Sequence, residues 1–340
     1  MRREGAALFR WESCGDAGDP ARRYYRLWEE TAAGTRTQVH VYPGAGFKTT
    51  GLFRDGEWYG PAEPDWSAAL GANPFLGAPI LFPTPNRVRD QAFTFRGRRY
   101  EMVKNGRPRA QHGIAYDSAW ECGEPAADAD GVSVTGTLTI APGDENYAAY
   151  PFPCRLTVRY RLSAGALEVR FRVENTGDAD MPWGVGLHPC FSLRSAEEPV
   201  LLTVPARAMY EVTPDLLATG KLLALDGDEN RRVDLGRDVK TFRLDNGFLL
   251  KGGDTVLKYP GRGTQLRICT TPDFTVSVVY TPVTLGQLPA SMPLFFVEHQ
   301  TCCTDAINLY EAGVPDTGLL ILRPGGAHES RISYIFEELT

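Results

Sequence analysis

The chain has 340 residues, 43% hydrophobic and 23% charged, with 42 acidic against 36 basic side chains and a net charge of −6. That usage excludes a disordered or fibrous chain, and the acidic balance argues against a duplex nucleic-acid binder, which needs a concentrated basic face. The 35 glycines and 25 prolines, with no repeat period, read as many turns between many short strands.

The N-terminus runs Met1-Arg2-Arg3-Glu4 without an apolar segment behind it, so no signal peptide is expected. Strand-like alternation begins at Gln38-Val39-His40-Val41-Tyr42, and further strands are expected at 93–103 and Val132–Ile140. The clearest pattern follows Arg155. Leu156, Val158, Tyr160 and Leu162 share one face; after the turn Ser163-Ala164-Gly165-Ala166, so do Leu167, Val169, Phe171 and Val173. Charged residues fill the alternate positions, which describes a β-hairpin with one buried face. Residues 206–218 are expected to hold a turn or two of helix, and 247–259, Thr264–Thr270 and 274–280 to be strands. Polar loops are expected at 126–131 and 224–237. The apolar run at 292–297 is far short of the about 20 residues that a membrane helix requires. Strands that follow one another without intervening helices disfavour a parallel sheet. The expectation is one all-β domain over 1–340, a large antiparallel sandwich with few short helices.

Seven cysteines, at 14, 122, 154, 190, 269, 302 and 303, show neither C-x-x-C nor Cys/His zinc spacing. They read as reduced thiols of a cytoplasmic protein rather than a disulfide framework. The five histidines differ in setting. His40 reads as an ordinary strand residue, and His328, after the turn Pro324-Gly325-Gly326, as exposed. His112 stands in Gln111-His112-Gly113, and His188 lies between glycines and a proline in Gly184-Val185-Gly186-Leu187-His188-Pro189. Glu298 ends the apolar run Leu294-Phe295-Phe296-Val297, where desolvation would raise its pKa toward that of a general base. The plainer alternative is a strand-end acid that meets water. Asp245, in Leu244-Asp245-Asn246-Gly247, has a turn-like context, and Arg87 is either a fork donor to vicinal hydroxyls or a surface arginine.

Taken in order, these pieces carry a resemblance. Gly77-Ala78-Pro79-Ile80-Leu81-Phe82-Pro83, Asn86-Arg87, Gly97, Tyr100 and His112-Gly113 are similar to the first signature of the aldose 1-epimerase (galactose mutarotase) family. Gly186-Leu187-His188-Pro189-Cys190-Phe191 resembles the second signature, and Leu244-Asp245-Asn246-Gly247 the aspartate segment. Glu298-x-Gln300, Asp305-Ala306-Ile307-Asn308 and Leu322-x-Pro324-Gly325 resemble its C-terminal block, so the likeness spans roughly 40–336. Two departures stand out: Gln111 where many members carry a second histidine, and His299 where many carry proline or threonine.

The resemblance implies a β-supersandwich with a sugar cleft on one sheet and a small-molecule sugar as partner; proton exchange alone needs no cofactor, and although some relatives bind a divalent ion, no ligand cluster in this sequence supports a metal. It also implies roles: His188 as general acid to the pyranose ring oxygen and Glu298 as general base to the anomeric hydroxyl, on opposite sides of the hemiacetal. His112 would bond near the ring oxygen, and Arg87 and Asp245 would grip hydroxyls. Trp66, Trp183 and Tyr280 are candidate stacking faces, with burial in the core as the competing reading. Three rivals are a hexose-6-phosphate 1-epimerase using the basic run 87–109, a non-catalytic sugar-binding protein, and a retaining glycosidase, which needs a second carboxylate as well placed as Glu298.

Overall fold

A computed structural model describes residues 7–15, 18–20, 22–60, 74–193, 198–287 and 293–339. The hairpin read from the sequence is the spine of its large sheet. Strands Cys154–Ser163 and Ala166–Asn175 pair antiparallel, with Leu156 opposite Val173 and Leu162 opposite Leu167. They turn on Ala164 and Gly165, both at positive φ (49° and 72°), as a two-residue hairpin connection requires. The alternate positions are buried as the period demands, and the wet face sets Arg161 opposite Glu168 and Arg155 opposite Glu174.

Among the described residues this sheet has ten strands. The long strand Ala327–Glu338 slots between Ala166–Asn175 and Thr264–Thr270, so the end of the chain closes its middle. An eight-stranded sheet runs Ala218–Leu223, Ala206–Val212, Asp245–Leu250, Val276–Tyr280, Leu294–Gln300, Gly186–Leu187 and Ile80–Leu81, with Cys190–Ser192 also paired to Leu294–Gln300. A third sheet is a five-stranded meander from Leu8–Cys14 to Glu57–Trp58. One core joins them: Leu156, Tyr160 and Phe171 from the large sheet, Phe248, Phe295 and Val297 from the second, Val39 and Val41 from the third. The architecture is the antiparallel all-β sandwich expected.

Three local expectations are corrected. Residues 206–218 contain strand Ala206–Val212, not helix, because neighbours on both sides recruit it into the second sheet. The segment 93–103 is a tight hairpin, Ala92–Phe95 with Arg98–Glu101, turning on Arg96 and Gly97, both at positive φ. The segment 247–259 is two strands in different sheets, parted where Gly252 and Gly253 take φ of 85° and 104°. Two short α-helices occur among the described residues, Glu145–Ala149, capped by the Asp144 carboxylate, and Ala306–Glu311. No helix of the described residues is long and apolar enough to cross a membrane.

Candidate active site

Side chains on a strand alternate between faces. On Leu294–Gln300 this sends Phe295 and Val297 into the core and His299 to the Thr255 hydroxyl at 2.9 Å, while Phe296 and Glu298 line a cleft on the other face. Register builds the rest of that wall: Val278 is opposite Glu298, Tyr280 opposite Phe296, and Asp245 opposite Tyr280. His188 arrives on the far flank, where Gly186 pairs with both Gln300 and Leu81. A Cβ on Gly186 would stand 2.9 Å from the Gln300 Cγ and from the His299 carbonyl oxygen, so glycine is what lets the two strands close up.

Arg87 and His112 come from two loops that clasp each other. Asn86 and His112 are both left-handed (φ 62° and 60°), a conformation that side chains rarely hold without reason. The His112 N–H donates to the Asn86 carbonyl at 2.6 Å, and the Asn86 N–H donates to Nδ1 of His112 at 3.3 Å. Nδ1 is therefore an acceptor, and the neutral ring carries its proton on Nε2. The next residue, Gly113, has φ 72°, and a Cβ there would lie 2.2 Å from the Phe82 carbonyl oxygen.

All five residues singled out in the sequence, Arg87, His112, His188, Asp245 and Glu298, line one cleft of about 280 Å³. Nε2 of His188 lies 3.2 Å from Oε1 of Glu298, with both side chains buried. The Gln300 amide donates to Oε2 of Glu298 at 2.9 Å. The rings of Phe296 and His112 stand 4.8 and 5.0 Å from that of His188, both edge-on. The two groups touch, because Gly186 brings their strands together.

Burial sets the electrostatics. It pushes Glu298 well above the usual carboxylate range, the Asp245 charge adds to this, and Gln300 and Arg87 oppose it. It drops His188 to about 4, with Lys48 and Arg87 adding to the fall, and takes His112 well below its ordinary value, helped by His188 and Arg87. Asp245 is raised by burial against the pull of Arg87. Burial therefore pushes both members of the Glu298–His188 pair toward their neutral forms, Glu298 toward the acid and His188 toward the free imidazole. A carboxylate beside an imidazolium is one proton transfer away across the 3.2 Å contact.

Other candidates fall elsewhere. Tyr280 lines the cleft, stacked on Phe296 at 5.2 Å, whereas Trp183 is 1% exposed and packs in the core near Phe82. Trp66 lies outside the described residues. His40 is a buried strand residue held by Gln38 at 2.8 Å. His328, expected to be exposed, is only partly so, beside Asp273 at 3.2 Å and the ring of Trp183. Sequence reasoning gave no role to Phe75, Phe296 or Gln300. Phe296 and Gln300 flank Glu298 at two-residue spacing, a signal that was available; loop residue Phe75 carries none. Gln111, the departure from the family pattern, also lines the cleft.

The aldose 1-epimerase family model matches residues 64–335, and the chain belongs to that family. Among solved structures, a galactose mutarotase-like protein of Clostridium acetobutylicum superimposes with a TM-score of 0.80 at 18% identity, over 97% of this chain and 99% of that one. Galactose 1-epimerase of Lactobacillus acidophilus gives 0.74 at 17% identity over the same shares, 97% and 99%. By sequence the chain is 26% identical over 258 residues to YihR of Escherichia coli, an uncharacterised protein, covering 73% of this chain and 75% of that one.

Proposed function

We propose that the protein is an aldose 1-epimerase that interconverts the α and β anomers of a hexose by opening and closing the pyranose ring. The observation that carries this reading is the buried contact of His188 Nε2 with Glu298 Oε1 at 3.2 Å, in a cleft shared with Arg87, His112 and Asp245. The hydroxyl oxygen and the ring oxygen of a hemiacetal are bonded to the same carbon, so an acid and a base that serve them must be neighbours. In the form that carries a carboxylate and an imidazolium, Glu298 takes the proton of the C1 hydroxyl while His188 delivers one to the ring oxygen. The ring opens, the chain turns about C1–C2, and closure on the other face returns both protons. Each positioned partner is worth on the order of 10²–10⁴ in rate. The Nε2–H of His112 donates near the ring oxygen, Arg87 and Asp245 hold hydroxyls, and Tyr280 and Phe296 offer apolar faces to the sugar.

The basic run 87–109 favours a free sugar over a phosphorylated one. Arg89 pairs with Asp305, Arg96 with Asp180, Arg99 with Glu101, Lys104 with Glu145 and Arg109 with Asp117. Of that run, Arg87 alone lines the cleft among the described residues. Polarimetry of freshly dissolved α-D-glucose, α-D-galactose and α-D-glucose 6-phosphate tests the reading. Glu298→Gln and His188→Asn should each slow mutarotation by about 100-fold or more with circular dichroism unchanged. A wild-type rate in either variant removes that residue from the mechanism, and no acceleration by the native protein removes the mechanism itself.

A further inference from the structure

Among the described residues, two buried carboxylates stand outside the acid–base cleft, Glu29 and Asp305. Asp305, its side chain 1% exposed, holds a left-handed backbone (φ 61°) at the start of helix Ala306–Glu311. Aspartate tolerates that conformation, but it costs free energy that surrounding bonds must offset. Those bonds go mainly to one segment far away in sequence. The Asp305 N–H donates to the Arg87 carbonyl at 2.8 Å. Its carboxylate accepts from the Arg89 N–H at 3.1 Å and from Nε of Arg89 at 3.2 Å.

Asn308, one helical turn on, extends the grip. Its amide nitrogen donates to Oδ1 of Asp305 at 2.7 Å and to the Ala92 carbonyl at 3.1 Å, and its oxygen accepts from the Thr94 N–H at 2.9 Å. Four anchor points are thus tied to the start of one helix: residue 87 through the Asp305 backbone N–H, and residues 89, 92 and 94 through the Asp305 and Asn308 side chains. The other edge of the segment is tied to the cleft. The Val88 N–H donates to the Ala110 carbonyl at 2.7 Å, Arg87 bridges Gln111, and Asn86 clasps His112. The Arg87 guanidinium itself has one hydrogen bond among the described residues, from Nη1 to Oδ1 of Asn86 at 3.2 Å. Its aim therefore depends on where the backbone of residue 87 is held.

We propose that Asp305 and Asn308 are positioning residues for Arg87: they act through the 87–94 backbone to point its guanidinium into the sugar cleft. The proposal rests on Arg87 being a hydroxyl-binding residue, as read above. An arginine that binds ground state and transition state alike shows itself in KM rather than kcat, and two groups that act through one contact are non-additive.

The test is steady-state polarimetry over a range of sugar concentrations on Arg87→Ala, Asp305→Ala, Asn308→Ala and the double variant Arg87→Ala/Asp305→Ala. Arg87→Ala should raise KM about tenfold or more, Asp305→Ala and Asn308→Ala by about three- to tenfold with kcat within about threefold, and the double variant should match Arg87→Ala. Asn308→Ala, which removes no charge, serves if Asp305→Ala fails to fold. An unchanged KM in Arg87→Ala would overturn the role of Arg87. A raised KM there, with wild-type KM in the Asp305 and Asn308 variants or additive effects in the double variant, would overturn the clamp: a purely structural residue lowers Tm and the amount of active protein without touching KM.

Discussion

Glu298 combines a buried carboxyl with one fixed oxygen. The Gln300 amide donates to Oε2, which leaves Oε1 toward His188. That donation favours the charged carboxylate and pulls the pKa down against burial. The proposed reacting form holds one proton between Glu298 and His188, and it is lost on the alkaline side as that proton leaves Glu298. Gln300→Leu should therefore move the alkaline limb of the kcat/KM profile to higher pH, by about one unit for a hydrogen bond of roughly 1.5 kcal/mol to a charged group. A limb that stays in place, or moves down, would show that Gln300 does not tune the base. At this scale much was legible. An acid after Leu294-Phe295-Phe296-Val297 announces its own desolvation, and a period of two places Phe296 and Gln300 beside it. The tautomer of His112 was not legible, since it depends on a backbone N–H 26 residues away.

Among elements, the cleft is made by close approaches that only glycine permits. Gly113 is the sharpest case, with φ 72° and a Cβ that would fall 2.2 Å from the Phe82 carbonyl oxygen. Gly113→Ala should cost about 1–2 kcal/mol in backbone strain alone, displace His112 and lower both Tm and mutarotation rate. Wild-type values of both in that variant would mean that the loop relaxes freely. The long hairpin 154–175 was readable because its period repeats over twenty residues with a two-residue turn between. Strand Ala206–Val212 was not: its seven residues follow no clean alternation, and its neighbours decide its state. Helix Ala306–Glu311 is too short to display a helical period.

For the whole molecule, burial leaves several histidines uncharged. His40, His188 and His299 are held at about 4, mainly by burial, and His112 is pushed well down. Each has a folded pKa below its unfolded value of 6.5. Its contribution to stability is present above pH 6.5 and is lost as pH falls toward about 4. Glu298 and Asp245, whose folded pKa values are raised, work in the opposite sense above 4.5 and 3.8, with two protons against four. Thermal melts should accordingly show Tm falling steadily from pH 6.5 to 4.5, with a slope of up to about 1.4 kcal/mol per pH unit for each histidine. A flat Tm across that window would mean that these rings are not buried neutral.

The amino-acid sequence by itself determined which faces are apolar, where the chain turns, and which residue types are available for proton exchange and hydroxyl binding. All of these depend on neighbours a few positions away. Alternation tells a strand which face to bury and is silent about which strand lies beside it. Only the tertiary structure decided that residue 188 would meet residue 298 and that residue 305 would hold residue 87. Those pairings span more than a hundred residues, and they follow from sheet register and from the packing of two sheets on one core. The same packing excludes water from the pair and so sets its proton affinities, which no single stretch of sequence contains.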